Sequence, residues 1–267
     1  MKLSIVVISR NEGEWLRRTI DGLHATLPAD SEIVVVDDES GMGVARARNH
    51  GASKTTGDVL IFADAHMRFQ PCWWQPVVKR ALQPGTGAAA PAVGDIDHPG
   101  RFGYGFTFDS PDLVPQWFQK SADAPFQAPI LPGCCLAMPR EVFCRTGGFD
   151  GGLKSRGGID AETGVRMWLQ GYESWIVPES RVWHLFRTSA PFPVRRAEVI
   201  HNRLRLAYLH FNPERIEKVR QALAADPAFE QAEKLAAESD WPQRREQLLR
   251  TRVHDDCWLF HKFGISW

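Results

Sequence analysis

Asp64 and His66 stand two residues apart at the end of an apolar run that reads Gly57-Asp58-Val59-Leu60-Ile61-Phe62-Ala63-Asp64-Ala65-His66. Alternate residues of an extended chain share a face, so a carboxylate and an imidazole at this spacing can point together at one cation while Ala65 turns away. The other reading of the pair is a buried strand that ends in a polar turn. Two more apolar runs of strand length also end in polar clusters: residues 3–8 in Arg10-Asn11-Glu12, and residues 33–36 in Asp37-Asp38.

The elements between these clusters follow from periodicity. After the strand at 3–8 and the polar loop Ser9-Arg10-Asn11-Glu12-Gly13, the residues Trp15, Leu16, Ile20 and Leu23 recur at helical spacing. A strand at 33–36, a helix at 44–53 carrying Arg46, Arg48 and Asn49, and a strand at 59–63 continue the alternation. Repeated strand–helix units of this length predict a parallel sheet, whose ligands sit at the carboxyl ends of its strands. All three clusters lie there, which predicts a nucleotide-type crevice. The chain has neither Gly-x-Gly-x-x-Gly nor Gly-Lys-Ser/Thr, so phosphates need another holder, and a carboxylate-bound divalent cation bridging a diphosphate is the alternative.

Downstream, a helix at 73–82 and a Gly/Ala/Pro-rich crossing at 84–99 with a strand near 88–93 precede an aromatic, irregular stretch at 101–123. That stretch either lines a cleft or forms a hairpin over the core. A strand at 130–138 carries Pro132-Gly133-Cys134-Cys135, and a short helix at 139–146 stops at Gly147-Gly148. A glycine-rich loop at 151–158 leads to a helix at 161–170 that Asp160 caps, with Glu162 in its first turn. A strand at 174–177 follows, and Ala190-Pro191-Phe192-Pro193 breaks the regular structure. Helices at 195–211, 213–225, 229–238 and 241–253 then give way to the apolar segment 256–263. Their mixed charge and apolar stripe predict a helical extension (194–267) packed on an α/β domain (1–193), with no linker between them.

The composition, 43% apolar and 10% aromatic over 267 residues, allows a large core. Basic and acidic residues balance at 32 each, so no global field draws the chain to nucleic acid or an anionic membrane. The longest apolar runs are strand-sized and no signal-like stretch opens the sequence, which predicts a soluble, cytoplasmic protein without a transmembrane segment. Five cysteines without framework or zinc-ribbon spacing fit a reducing compartment. Cys134-Cys135 reads as two small apolar side chains facing opposite ways.

The ordered motifs resemble the nucleotide-sugar glycosyltransferases of family 2 with the GT-A fold, most closely the catalytic domain of polypeptide N-acetylgalactosaminyltransferases. The resemblance runs from Leu3 to about Phe192. It rests on Ser9-Arg10-Asn11-Glu12, Val35-Val36-Asp37-Asp38-Glu39-Ser40, Ala45-Arg46-Ala47-Arg48 with Gly51-Ala52, Gly57-Asp58-Val59-Leu60 into Asp64-Ala65-His66, Gly147-Gly148-Phe149-Asp150, Gly157-Gly158 before Asp160-Ala161-Glu162, and Trp183-His184-Leu185-Phe186-Arg187. It implies a mostly parallel sheet with helices on both faces. It also makes Asp64, His66 and His184 metal ligands, with the diphosphate completing the shell. One carboxylate and two imidazoles form a mixed oxygen and nitrogen site, which suits Mn²⁺ better than Mg²⁺, the second choice. Asp37 or Asp38 would contact the uracil, Arg48 the base or ribose, and Arg187 would lie on a loop that closes over the phosphates. Ser9, Glu12, Gly133, Cys134, Gly158 and Glu162 fall at donor-site positions of the matching motifs.

Departures from that family narrow the expectation. Cys134 replaces a glycine beside the donor sugar, Ile159 replaces a glutamate, and Asp160 replaces an asparagine. Asp160 then resembles the general base of inverting GT-A enzymes, and a helix N-cap remains its other reading. Ala190 and Phe192 make the closing loop apolar. The expected function is metal-dependent transfer of a hexose-type sugar from a UDP-sugar to a hydroxyl or thiol of a peptide, glycan or small molecule. A non-catalytic nucleotide- or carbohydrate-binding module of the same ancestry is one rival, against which the three intact ligand positions speak. A nucleotidyltransferase is the other, and its usual glycine-rich start is missing.

Overall fold

The computed structural model describes residues 1–118 and 121–267; Gln119 and Lys120, part of the aromatic stretch, lie outside the described residues. The chain opens as β1 (Leu3–Ser9), α1 (Glu14–Thr26), β2 (Glu32–Asp37), α2 (Val44–Ser53), β3 (Val59–Asp64), β4 (Met67–Phe69), α3 (Trp74–Ala81) and β5 (Thr86–Asp95). Short strands β6 (Phe102–Gly103), β7 (Phe106–Phe108), β8 (Pro115–Trp117) and β9 (Phe126–Gln127) lead to β10 (Cys135–Pro139), α4 (Arg140–Thr146), α5 (Ile159–Leu169) and β11 (Glu173–His184). Five helices follow: α6 (Arg196–His210), α7 (Pro213–Leu223), α8 (Phe229–Ala237), α9 (Trp241–Thr251) and α10 (Asp256–Phe263).

The main sheet runs β2-β1-β3-β10-β5-β11-β4, with β6 added to β5 and β9 to β11. β1 pairs parallel with both β2 and β3, β11 pairs parallel with β5, and β10 runs antiparallel between β3 and β5. Period-two alternation builds the two faces. Leu3, Ile5 and Val7 of β1 with Val59, Ile61 and Ala63 of β3 meet Leu23, Trp73 and Val77 on one side. Val6, Leu60 and Phe62 meet Ala45, Ala47, Ile159 and Met167 on the other. Asp64 and His66 continue the parity of Leu60 and Phe62, which fixes the face they share.

A third cluster joins Ile130, Ala161, Val165 and Trp168 to Ile200, Leu204, Phe211, Val219 and Leu259. The C-terminal helices thus bury their apolar stripe against α5. No helix among the described residues is long and apolar enough to cross a membrane.

Three expectations need correction. The strand at 130–138 begins only at Cys135, whose N–H bonds Pro132 O in a turn that spends Pro132-Gly133 before the ladder starts. The strand at 174–177 extends to His184 as β11 through a register shift between Val177 and Arg181. Asp160 does not cap α5. Gly158, at φ 80°, occupies the cap in the left-handed region, and Asp160 lies inside the first turn. The aromatic stretch takes its hairpin form as β7 and β8.

Candidate active site

A cleft of about 320 Å³ opens at the carboxyl ends of β1, β3 and β11, walled by residues 155–160 on one side and 184–192 on the other. Asp64 ends β3 and His66 follows two residues on. His184 arrives from the far end of the chain because β11 pairs antiparallel with β4, His184 opposite Met67, while Leu185 N–H bonds His66 O at 3.1 Å. One donor atom each from Asp64, His66 and His184 lies within 4.8 Å of the others. His184 Nε2 is 3.5 Å from Asp64 Oδ2, and the two imidazole rings are 4.6 Å apart.

These residues fit a divalent cation. His66 Nδ1 lies 3.1 Å from Glu12 Oε2, which as a donor contact leaves the Nε2 lone pair for a metal. His184 Nδ1 is buried without a partner among the described residues. Burial works to raise the Asp64 carboxyl, yet His184 and the charges of Arg48 and His66 hold it well below the usual carboxylate range. It is ionised at neutral pH, as a ligand must be.

Arg48 ties the floor together. Its guanidinium donates to Gly133 O at 2.6 Å, lies 3.4 Å from both Asp64 Oδ1 and Asp160 Oδ1, and stacks over Phe149. Gly133 N–H donates to Asp160 Oδ2 at 3.1 Å. Burial pushes the Asp160 carboxyl upward, Arg48 opposes this and the Asp64 charge adds to it. Burial likewise raises the neighbouring Cys134 thiol, which stays protonated.

Ser9, Glu12, Asp38, Arg48, Asp64, His66, Cys134, Gly158, Asp160, His184 and Arg187 all line the cleft. Asp37, Gly133 and Glu162 do not. Asp37 is exposed at the end of β2, so of the two aspartates only Asp38 reaches the cleft, and its carboxylate accepts from the N–H groups of Met42 and Gly43 at 2.6 and 3.0 Å. Glu162 is fully buried among core groups, paired with Arg166 at 2.8 Å and with His210 at 3.0 Å. Its place is structural: α5 begins at Ile159, two residues before the predicted start, and Glu162 packs inward against Arg166 and His210. Gly133 acts through its backbone, and Glu12 spends its carboxylate on His66 and Arg187.

Residues that sequence reasoning missed complete the walls. Arg10 lies over the Phe192 ring at 4.6 Å, and Asn11 Nδ2 donates to Pro191 O at 3.3 Å, so the segment before Pro193 rests on the loop after β1. Asn202 of α6, fully buried, donates to the carbonyls of Lys154, Arg156 and Gly157 and accepts from Lys154 N–H. Arg10 was visible in its polar cluster; an asparagine whose partners are loop backbone and the adjacent His201 ring, 3.1 Å from its Oδ1, leaves no motif.

Comparison with known proteins agrees with this architecture. Residues 39–146 match the model of the family described as Glycosyl transferase family 2. The chain is similar to polypeptide N-acetylgalactosaminyltransferase 11 of Xenopus tropicalis, with 31% identity over 220 residues that cover 77% of this chain and 36% of that protein. It is also similar to polypeptide N-acetylgalactosaminyltransferase 15 of Homo sapiens, 28% identical over 251 residues, 76% of this chain and 39% of that one. The chain therefore spans well under half the length of these relatives. Among solved structures, GalNAc-T7 with UDP, GalNAc and Mn²⁺ superposes with a TM-score of 0.75 at 20% identity, over 98% of this chain and 57% of that chain. The fold is GT-A.

Proposed function

We propose, on the premise that the chain carries a glycosyl transferase family 2 domain, that it is a metal-dependent glycosyltransferase moving a hexose-type sugar from a UDP-sugar to a hydroxyl or thiol acceptor. Residues 1–193 form the catalytic domain in this reading, and 194–267 a helical extension packed on it. The observation that carries it is the Asp64, His66 and His184 cluster at the carboxyl edge of the sheet, with donor atoms within 4.8 Å. These three would hold Mn²⁺, or Mg²⁺ as second choice, and such a cation would supply Lewis-acid compensation for the charge that builds on the departing UDP.

The chain's own residues do the rest. Asp160 takes the proton of the acceptor hydroxyl as its oxygen bonds the sugar's anomeric carbon and the bond from that carbon to the UDP oxygen breaks. The upward push on its carboxyl supports the role, since a stronger base drives proton abstraction better. Arg48 keeps the Asp160 and Asp64 carboxylates apart and oriented, and Asp38 shapes the turn on which the nucleoside end rests. Arg187, at the cleft wall, is placed to meet the phosphates. The free thiols support a reducing compartment such as the cytoplasm.

The test is UDP release from a panel of UDP-sugars, with and without Mn²⁺. Asp64→Ala and His184→Ala should each abolish metal-dependent transfer in a protein that still folds. Full activity in the presence of a chelator would overturn the metal role.

A further inference from the structure

Glu12 was expected at the donor site, yet the structure leaves neither of its carboxylate oxygens for a donor. The residue is 9% exposed. Oε2 faces His66 Nδ1 at 3.1 Å and accepts from Arg187 Nη2 at 2.6 Å, and Oε1 accepts from Arg187 Nη1 at 3.0 Å. A two-pronged guanidinium pair of this kind is geometrically specific and stronger than a neutral hydrogen bond. The same carboxylate therefore grips a proposed metal ligand from the β3–β4 turn and the segment that follows β11.

We propose that Glu12 is a positioning residue: it fixes His66 in the Nδ1–H tautomer, with Nε2 turned toward Asp64 and His184, and through Arg187 it fastens residues 185–192 to the loop after β1. The metal half of this rests on the function proposed above; the tautomer and the fastening do not. A neutral imidazole carries its proton on whichever nitrogen has an acceptor, and an acceptor carboxylate at Nδ1 settles the choice. Arg10 on Phe192 and Asn11 on Pro191 O grip the same segment from the two preceding positions. Glu12 is where this grip and the ligand set meet, so loosening one loosens the other.

Three measurements on the full chain test this. Imidazole ¹⁵N shifts in histidine-labelled protein at alkaline pH should show His66 protonated on Nδ1 in the wild type and moved toward Nε2–H in Glu12→Ala. Mn²⁺ affinity, read from the electron paramagnetic resonance of the free ion, should weaken about 10–100-fold in the same variant. Amide hydrogen exchange over 185–192 should quicken in both Glu12→Ala and Arg187→Met. Glu12→Gln keeps the volume and guards against a folding defect; it should move Mn²⁺ affinity and exchange the same way, by less. An unchanged His66 tautomer in Glu12→Ala, or unchanged exchange over 185–192, overturns the proposal. A wild type that binds no Mn²⁺ overturns the metal reading beneath it and leaves the tautomer result to stand alone.

Discussion

Gly133 and Asp160 lie so close that a methyl group on the Gly133 Cα would stand 1.8 Å from Asp160 Oδ1. Only glycine lets the proposed base sit where Gly133 N–H and Arg48 hold it. In Gly133→Ala the carboxylate must swing out and lose both partners. A displaced general base should lower kcat by about 100-fold or more, while Mn²⁺ affinity stays near wild type because Asp64, His66 and His184 are untouched. Steady-state kinetics beside a Mn²⁺ titration checks this, and a fully active alanine variant would remove Asp160 from the chemistry.

Donor choice should turn on Cys134. Its side chain lines the cleft beside Asp64 and Asp160, and Ile159 closes the same corner as a buried apolar group. A pocket narrowed there and stripped of a polar partner should favour UDP-glucose or UDP-galactose over UDP-N-acetylgalactosamine. One such group is worth about 1–3 kcal/mol, so the preference should be on the order of 10–200-fold in specificity constant. Cys134→Gly should shift the ratio toward the acetylated donor, and a ratio that does not move would show that this position does not set the choice.

Asn202→Ala should damage the cleft from outside it. The amide makes four hydrogen bonds to the backbone of residues 154–157, and since Arg156 and Gly157 are exposed water can replace part of what is lost, so each bond should be worth about 0.5–1.5 kcal/mol at most. Because that loop leads into Gly158 and the first turn of α5 with Asp160, donor KM should rise as well. Chemical denaturation and donor KM measured together separate the two effects; a stability loss with unchanged kinetics would confine Asn202 to support.

Stability should fall from pH 8 to pH 5. Burial lowers the pKa of His201 and of His210 in the folded protein, the second against its contact with Glu162. The unfolded chain takes up protons near pH 6.5 that the fold refuses, so stability is full above that pH and is lost as pH drops below it. Each histidine contributes up to about 1.4 kcal/mol per pH unit. Urea unfolding across this range should show the slope, and His210→Gln should reduce it; an unchanged slope would mean that His210 is charged in the fold.

The sheet and two of the three metal-ligand candidates were legible because they rest on local spacing. Leu3, Ile5 and Val7 alternate with Val6 and Ile8, and Asp64 and His66 inherit that period. His184 had no local signal, since an antiparallel pairing between β4 and β11 brings it across from a remote part of the chain. Glu162 read as a site residue by its place in a motif, although Arg166 four residues on already offered an ion pair along one helix face. Asp160 read as a helix cap because the left-handed Gly158 starting α5 earlier is invisible in a Gly157-Gly158 pair, where either glycine could turn.

The reversed strand β10 also governs the order in which the molecule assembles. β1, β2 and β3 are contiguous in sequence and can pair as soon as they are made, yet β3 then presents an open, apolar edge. Leu136 covers Phe62 and Ala137 covers Ile61 only when β10 arrives, and Ala137 also meets Ala89. Until that strand emerges the two halves of the sheet have nothing to join them. Pairing across so long a loop is slow, and an uncovered edge meanwhile invites another chain. Nascent chains ending before Pro139 should thus be the species most prone to aggregate, with the hazard ending when a five-residue strand slots into the middle of the sheet.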